Sequence, residues 1–143
     1  MRLWHKDLIE VLPRQQLLGQ WRELNSIFKL QNRHILINFV YDYHFGHLLG
    51  YTNMVIAEME KRGYKINLDN ADNYFNPLIK ENGGYKMPFY ECLFEEKMNE
   101  RYLKQCLYNL QEKYDCGGIS QEEWQKIEDK FGGIMWNGSS INK

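Results

Sequence analysis

Cysteine is scarce in this 143-residue chain, and the three present (Cys92, Cys106 and Cys116) are odd in number and not closely paired. That argues against a disulfide framework and against a cysteine-built structural metal site. Excess charge is lacking as well. Eighteen Lys and Arg stand against nineteen Asp and Glu, a formal net charge of −1, so the chain is not the strongly basic whole domain that most simply marks a nucleic-acid binder. No apolar stretch approaches the ~20 residues of a membrane span. The opening Met1-Arg2-Leu3-Trp4-His5-Lys6 has no apolar signal-peptide core. These absences read as a soluble, cytoplasmic protein with reduced thiols and no membrane partner.

What is present is enough to fold. Hydrophobic residues make up 43% and charged residues 26%, and the length suits a single core. Helical periodicity recurs and two-residue alternation does not, which predicts an all-α class: one compact domain over residues 1–133, with three main helices and a short C-terminal helix. The first is expected over about 13–31, opened by Pro13 and packed through Leu17, Leu18, Trp21, Leu24, Ile27 and Phe28. The second is expected over 44–62, with Leu48, Leu49, Thr52, Val55, Ile56 and Met59 inside and a stop at Lys61-Arg62-Gly63. Residues 64–87, rich in Asn, Gly and Asp, are expected to be mostly loop, with one short turn around 71–75. Pro88 is expected to open a long third helix to about 114, with Phe89 in its packed face. Ser120 and Glu123 form a capping-box pattern for the last helix, which Gly132-Gly133 would end. A tail over 134–143 follows, with Met135 and Trp136 available to dock on the body.

Charge is unevenly distributed. The first 34 residues carry six basic side chains (Arg2, Lys6, Arg14, Arg22, Lys29, Arg33) against three acidic ones, a balance of +3, and the remainder carries −4. The polar side of the first helix gathers Gln15, Gln16, Gly19, Arg22, Glu23 and Ser26 into an arc of roughly 120°. That side offers amides, one cation, one carboxylate, a hydroxyl and a glycine that admits close approach. It suits a phosphate or a base, and it is equally compatible with an ordinary solvated face. His44 and His47, three apart on a helix, together with His34 and Glu58, are a conceivable ligand set, but no metal or other cofactor is expected. Trp4 is expected to pack the N-terminal arm against the core.

Gln15-Gln16-Leu17, then Trp21-Arg22-Glu23-Leu24, then Phe28 and Arg33-His34, resemble the N-terminal helix of the phage-type pyrimidine-dimer DNA glycosylases, the endonuclease V family. Ile56-Ala57-Glu58-Met59-Glu60-Lys61-Arg62-Gly63-Tyr64 is similar to the end of that family's second helix, and Glu95-Glu96-Lys97-Met98-Asn99-Glu100-Arg101 is a weaker third likeness. The resemblance implies a compact all-α fold with the N-terminus beside the arginine and glutamate of the first helix. It further implies that an α-amine attacks the anomeric carbon of a damaged nucleotide to form an imine, and that the glutamate stabilises the cationic intermediate before β-elimination. Carried over by position, Glu23 takes the acid/base and electrostatic role, Arg22 binds a phosphate and Gln15 contacts DNA.

Three departures accompany the likeness. The family's nucleophile is a threonine exposed by loss of the initiator methionine, whereas Arg2 stands here, too large for efficient removal of Met1. The reactive amine then belongs to Met1, one residue further out. Gln16 stands where the phage enzyme has a histidine, and Ser26 where it has a DNA-binding arginine. The connection between the first two helices is shorter, and residues 35–43 carry no basic side chain. Because nonspecific affinity rests on several cationic phosphate contacts, DNA binding is expected to be weak. It would draw on a small patch of the Met1 amine, Arg2, Lys6, Arg14, Arg22 and Arg33, with His34 nearby. The expected activity is a glycosylase and abasic-site lyase acting on damaged DNA, either pyrimidine dimers or abasic sites. The alternatives are a non-catalytic nucleic-acid or phosphate binder that keeps the fold, and an enzyme using the same pocket on a small substrate.

Overall fold

The computed structural model describes residues 2–31 and 33–135; Met1, Asn32 and residues 136–143, Trp136 among them, lie outside the described set. The described residues are all-helical and contain no strand. Five α-helices carry the fold: α1 (Arg14–Leu30), α2 (Phe45–Lys61), α3 (Asp69–Glu81), α4 (Glu100–Asp115) and α5 (Gln121–Met135), with 3-10 helices at Lys6–Val11, Asn38–Asp42 and Tyr90–Cys92. Helix α1 packs against α2 and α3, α5 packs against α4, and the first 3-10 helix bridges α2 and α5. No helix of the described residues is long and apolar enough to cross a membrane.

The helix ends follow local chemistry. Pro13 precedes α1 without a side-chain cap, and Glu123 of α5 supplies one instead, its Oε2 accepting from the Arg14 N–H at 2.8 Å. The same glutamate completes the expected capping box: the Glu123 N–H donates to Ser120 Oγ at 3.1 Å, and the Ser120 N–H donates to Glu123 Oε1 at 3.2 Å. Helix α2 ends in a Schellman turn in which the Tyr64 N–H reaches Met59 O and the Gly63 N–H reaches Glu60 O. Gly63 there has φ +82°, which glycine adopts without strain. At the start of α2, Gly46 is needed for space, because a Cβ on it would lie 2.2 Å from the Lys86 carbonyl oxygen.

Three sequence expectations are corrected. The stretch expected to be mostly loop contains the 13-residue helix α3, Pro77 inside it. Its Phe75 lies edge-on to Phe28 of α1, with ring centroids 5.3 Å apart, and this packing outweighs the local preference for a turn. The long helix expected from Pro88 is absent over residues 88–99, which form a short 3-10 helix and turns, and Phe89 is exposed. Phe94 takes a left-handed backbone, φ +48°, while its side chain is fully buried among Phe39, Tyr43 and His47. Asn99 restarts the helix, its Oδ1 accepting from the Tyr102 N–H at 2.9 Å. At the C-terminal end α5 runs through Gly132-Gly133 to Met135, whose side chain is buried.

Candidate functional site

Residues 3–6 are held inside the protein. Leu3, Trp4, His5 and Lys6 are all buried, so an arm that would ordinarily fray is fixed by packing and hydrogen bonds. Gln20, on the inner side of α1 and 1% exposed, accepts from the Trp4 N–H at 2.8 Å and donates to the Arg2 carbonyl at 3.3 Å. The Tyr51 hydroxyl of α2 has a single proton to share between Trp4 O at 2.6 Å and Gln20 Oε1 at 2.9 Å. From α4, the Tyr102 hydroxyl donates to Leu3 O. Three helices thus grip the backbone of residues 2–4. Burial holds both tyrosine hydroxyls well above their ordinary pKa, so they act as neutral donors.

Beside the arm lies a cleft of about 440 Å³ lined by Arg2, Trp4, Gln16, Gly19, Gln20, Glu23, Leu36, Asn109 and Lys113. Glu23 lines it, and one of its oxygens, Oε1, is buried and has no partner among the described residues; Gln16 Oε1 is in the same condition. A buried acceptor without a donor costs about 1–3 kcal/mol, so two in one cleft mark a place suited to an incoming donor or cation. Burial raises the Glu23 carboxyl above its ordinary range, opposed by the positive charge of the N-terminal amine and of His34. The Arg2 guanidinium lies 5.6 Å from the centre of the Trp4 ring and donates to Cys106 Sγ at 3.8 Å. Gly19 leaves the cleft open: a Cβ there would meet only the Arg22 guanidinium, at 3.6 Å.

The residues expected from the sequence fall in several places. Glu23, Gln16 and Arg2 line the cleft together. Arg22 and Ser26 line the adjoining groove with Trp21, Asn25, Lys29 and Leu30, and Arg22 also reaches over Gly19 to the cleft rim. Gln15 is exposed on α1 outside the cleft lining. Arg14 lines a different cavity and sits 5.7 Å over the Tyr64 ring. Arg33 stacks on Tyr41 at 4.0 Å, and His34 lies in the turn after α1, its Nδ1 accepting from the Leu36 N–H. Lys6, expected in the basic patch, is buried and donates to the Tyr90 carbonyl. Met1 lies outside the described residues.

Asn109 and Lys113 of α4, Leu36 and the bracing Gln20 complete the cleft without having been singled out in the sequence. Gln20 carried the one available signal, a polar residue on the apolar side of α1. His44, His47 and Glu58 have separate local partners: His44 Nδ1 caps α2 by accepting from the Gly46 N–H, His47 Nδ1 accepts from the Phe94 N–H, and Glu58 pairs with Arg62 at 2.7 Å. A second cavity of about 490 Å³ holds Glu10, Arg14, Glu58, Arg62 and Glu123. Its Arg62 binds Glu58, and its Glu123 takes the Arg14 N–H, so those carboxylates are already satisfied.

A family model described as pyrimidine dimer DNA glycosylase matches residues 1–72. No curated protein and no solved structure matches the chain. The matched stretch contains the pinned arm, α1 and α2, while Asn109 and Lys113 of α4, which also line the cleft, lie beyond it.

Proposed function

The chain belongs to the pyrimidine dimer DNA glycosylase family, matched over residues 1–72 of its 143, and on that premise we propose that it is a glycosylase and abasic-site lyase using its N-terminal amine and Glu23. An α-amine titrates near 8, well below a lysine, so a useful fraction is an uncharged nucleophile at neutral pH. Its lone pair forms the bond to C1′ of the damaged nucleotide as the bond from C1′ to the base breaks; at an abasic aldehyde, water leaves instead. Opening of the sugar ring gives an imine. Loss of a C2′ proton then expels the phosphate from C3′ and breaks the strand.

Glu23 supports both stages. Its carboxylate stabilises the cationic imine, and a proton affinity raised by burial suits proton transfer during ring opening and elimination. The reading is carried by one observation: Glu23, whose Oε1 is buried without a partner among the described residues, lines a cleft together with Arg2 and Trp4 of the arm held by Gln20, Tyr51 and Tyr102. Arg22 and Lys113 supply cations for the flanking phosphates.

A second reading draws on Arg2, whose side chain lines the cleft itself. There the protein binds an anionic group of nucleic acid and cleaves nothing. Incubation with an abasic duplex separates the two. Strand incision by the native protein and none by Glu23→Gln supports the enzyme; salt-sensitive binding without incision supports the binder.

A further inference from the structure

The cavity of about 490 Å³ at the entry to α1 shares no lining residue with the Glu23 cleft. Arg14, at its edge, and Glu23 stand nine residues apart on α1, ~13 Å along the helix axis. Four cations and three carboxylates line the cavity, and the carboxylates are all engaged. Glu58 holds Arg62 at 2.7 Å, and Glu123 accepts from the Arg14 N–H and from the Ser120 hydroxyl. Glu10 is bound at 2.9 Å by Lys130, a cation from outside the lining. With Lys130 included, positive charge around the cavity exceeds negative by two. The remaining cations, Arg14, Lys61 and Lys126, make no ion pair among the described residues. They come from α1, α2 and α5, so the tertiary fold, and no helical repeat, gathers them. Three like charges round one concavity repel one another, and the same arrangement concentrates a potential that attracts anions.

We propose that this cavity is a second ligand site, which binds a small phosphate monoester through Arg14, Lys61 and Lys126. The site stands whatever chemistry Glu23 performs. A phosphate monoester carries about −1.5 to −2 charges at neutral pH, which matches the excess of two. A phosphodiester of a nucleic-acid backbone brings one charge per phosphate, and a carboxylate brings one. The Arg14 guanidinium offers a fork of N–H donors for two phosphate oxygens, and the lysines act as mobile point charges. Its surroundings are fixed. The guanidinium is steadied 5.7 Å from the centre of the Tyr64 ring, and Arg62 ties the floor together by donating to Leu12 O at 2.8 Å and Glu10 O at 3.2 Å. A volume of about 490 Å³ leaves room for a sugar attached to the phosphate.

The test titrates the full chain with ribose 5-phosphate, inorganic phosphate and ribose at low salt, read by amide chemical shifts in solution NMR. Ribose 5-phosphate is expected to bind with a dissociation constant of about 1 mM. It should move the amide signals of Arg14, Tyr64 and Lys126 and leave those of Gly19 and Glu23 in place. Inorganic phosphate should move the same signals with weaker affinity, and ribose should move none. Arg14→Ala and Lys126→Gln alter exposed side chains, and Arg14→Ala keeps the N–H that Glu123 caps, so both variants should fold, which circular dichroism checks. Each is expected to weaken binding of the sugar phosphate about fivefold, while Arg22→Ala, in the groove beyond Gly19, should leave it unchanged. Any of four results overturns the proposal: no saturable shift, shifts centred on the Glu23 cleft, undiminished affinity in both Arg14→Ala and Lys126→Gln, or tighter binding of the bare phosphate than of its ester. A response of the Arg14 and Lys126 signals to a duplex oligonucleotide alone also overturns it and makes the cavity a DNA contact.

Discussion

Replacing Gln20 by leucine removes the amide that fixes the N-terminal arm while keeping most of the side-chain volume. Two backbone groups then lose their partner, the buried Trp4 N–H at 2.8 Å and the part-buried Arg2 carbonyl at 3.3 Å. The Tyr51 hydroxyl keeps Trp4 O. At about 1–3 kcal/mol for each stranded group, with the long Arg2 contact at the low end, the loss is about 3 kcal/mol. For a domain of this size that lowers Tm by roughly 10 °C. A second effect separates positioning from stability. The arm carries the amine, and displacing a reacting group by ~1 Å costs on the order of 100-fold in rate. At a temperature where Gln20→Leu is fully folded, borohydride trapping on abasic DNA should therefore be about 10- to 100-fold slower than in the native protein. A variant that melts at the lower temperature yet traps at the native rate would show that Gln20 stabilises the fold without placing the amine. One that melts within about 2 °C of the native protein would contradict the hydrogen-bond reasoning itself.

Glu23→Gln should reduce incision by roughly 100- to 10,000-fold while leaving the protein more stable at neutral pH. The folded-state pKa of Glu23 is raised by burial, so ionisation opposes folding, fully at pH values above the folded pKa and not at all below the unfolded one. The gain in Tm should accordingly appear as pH rises through the carboxylate range and vanish in acid; a gain that persists in acid contradicts the assignment. Arg62→Met should cost about 2–3 kcal/mol in denaturant unfolding. Its guanidinium joins Glu58 Oε2 at 2.7 Å, Leu12 O at 2.8 Å and Glu10 O at 3.2 Å, tying the approach to α1 onto α2. Arg62→Lys should recover less than half of that loss, because one ammonium cannot span the three acceptors. Lys113→Ala and Arg22→Ala should each reduce the slope of log affinity against log salt by about one, measured on an abasic duplex; Arg14→Ala, which lies in another cavity, should change it little.

Helices α1 and α2 were legible because local chemistry and tertiary packing agree there. Pro13 and the Lys61-Arg62-Gly63 stop coincide with the ends of apolar stripes that do face the core. Helix α3 was obscured because Asn, Asp and Pro77 favour turns, and only the meeting of Phe75 with Phe28 from another helix reverses that preference. The segment after Pro88 failed in the opposite direction. Its helix-forming residues are overridden by a pocket of aromatic rings that holds Phe94 in a left-handed backbone. In the cleft, one wall was readable from α1, because Gln16, Gly19 and Glu23 share a helical face at spacings of three and four. Asn109 and Lys113 stand more than 85 residues away from Glu23 in the chain, and no helical period links residues so distant. Lys6 was misread because a charge count cannot tell an ammonium in solvent from one buried against the Tyr90 carbonyl.

The point of covalent attachment is the most direct measurement. The protein is incubated with abasic DNA, reduced with borohydride and digested, and the peptide carrying the nucleotide is sequenced by mass spectrometry. The expected product is a single adduct on the α-amine of the N-terminal residue, missing when that amine is acetylated beforehand. No adduct, or one on the ε-amine of Lys113, would contradict an enzyme built on the N-terminus and Glu23.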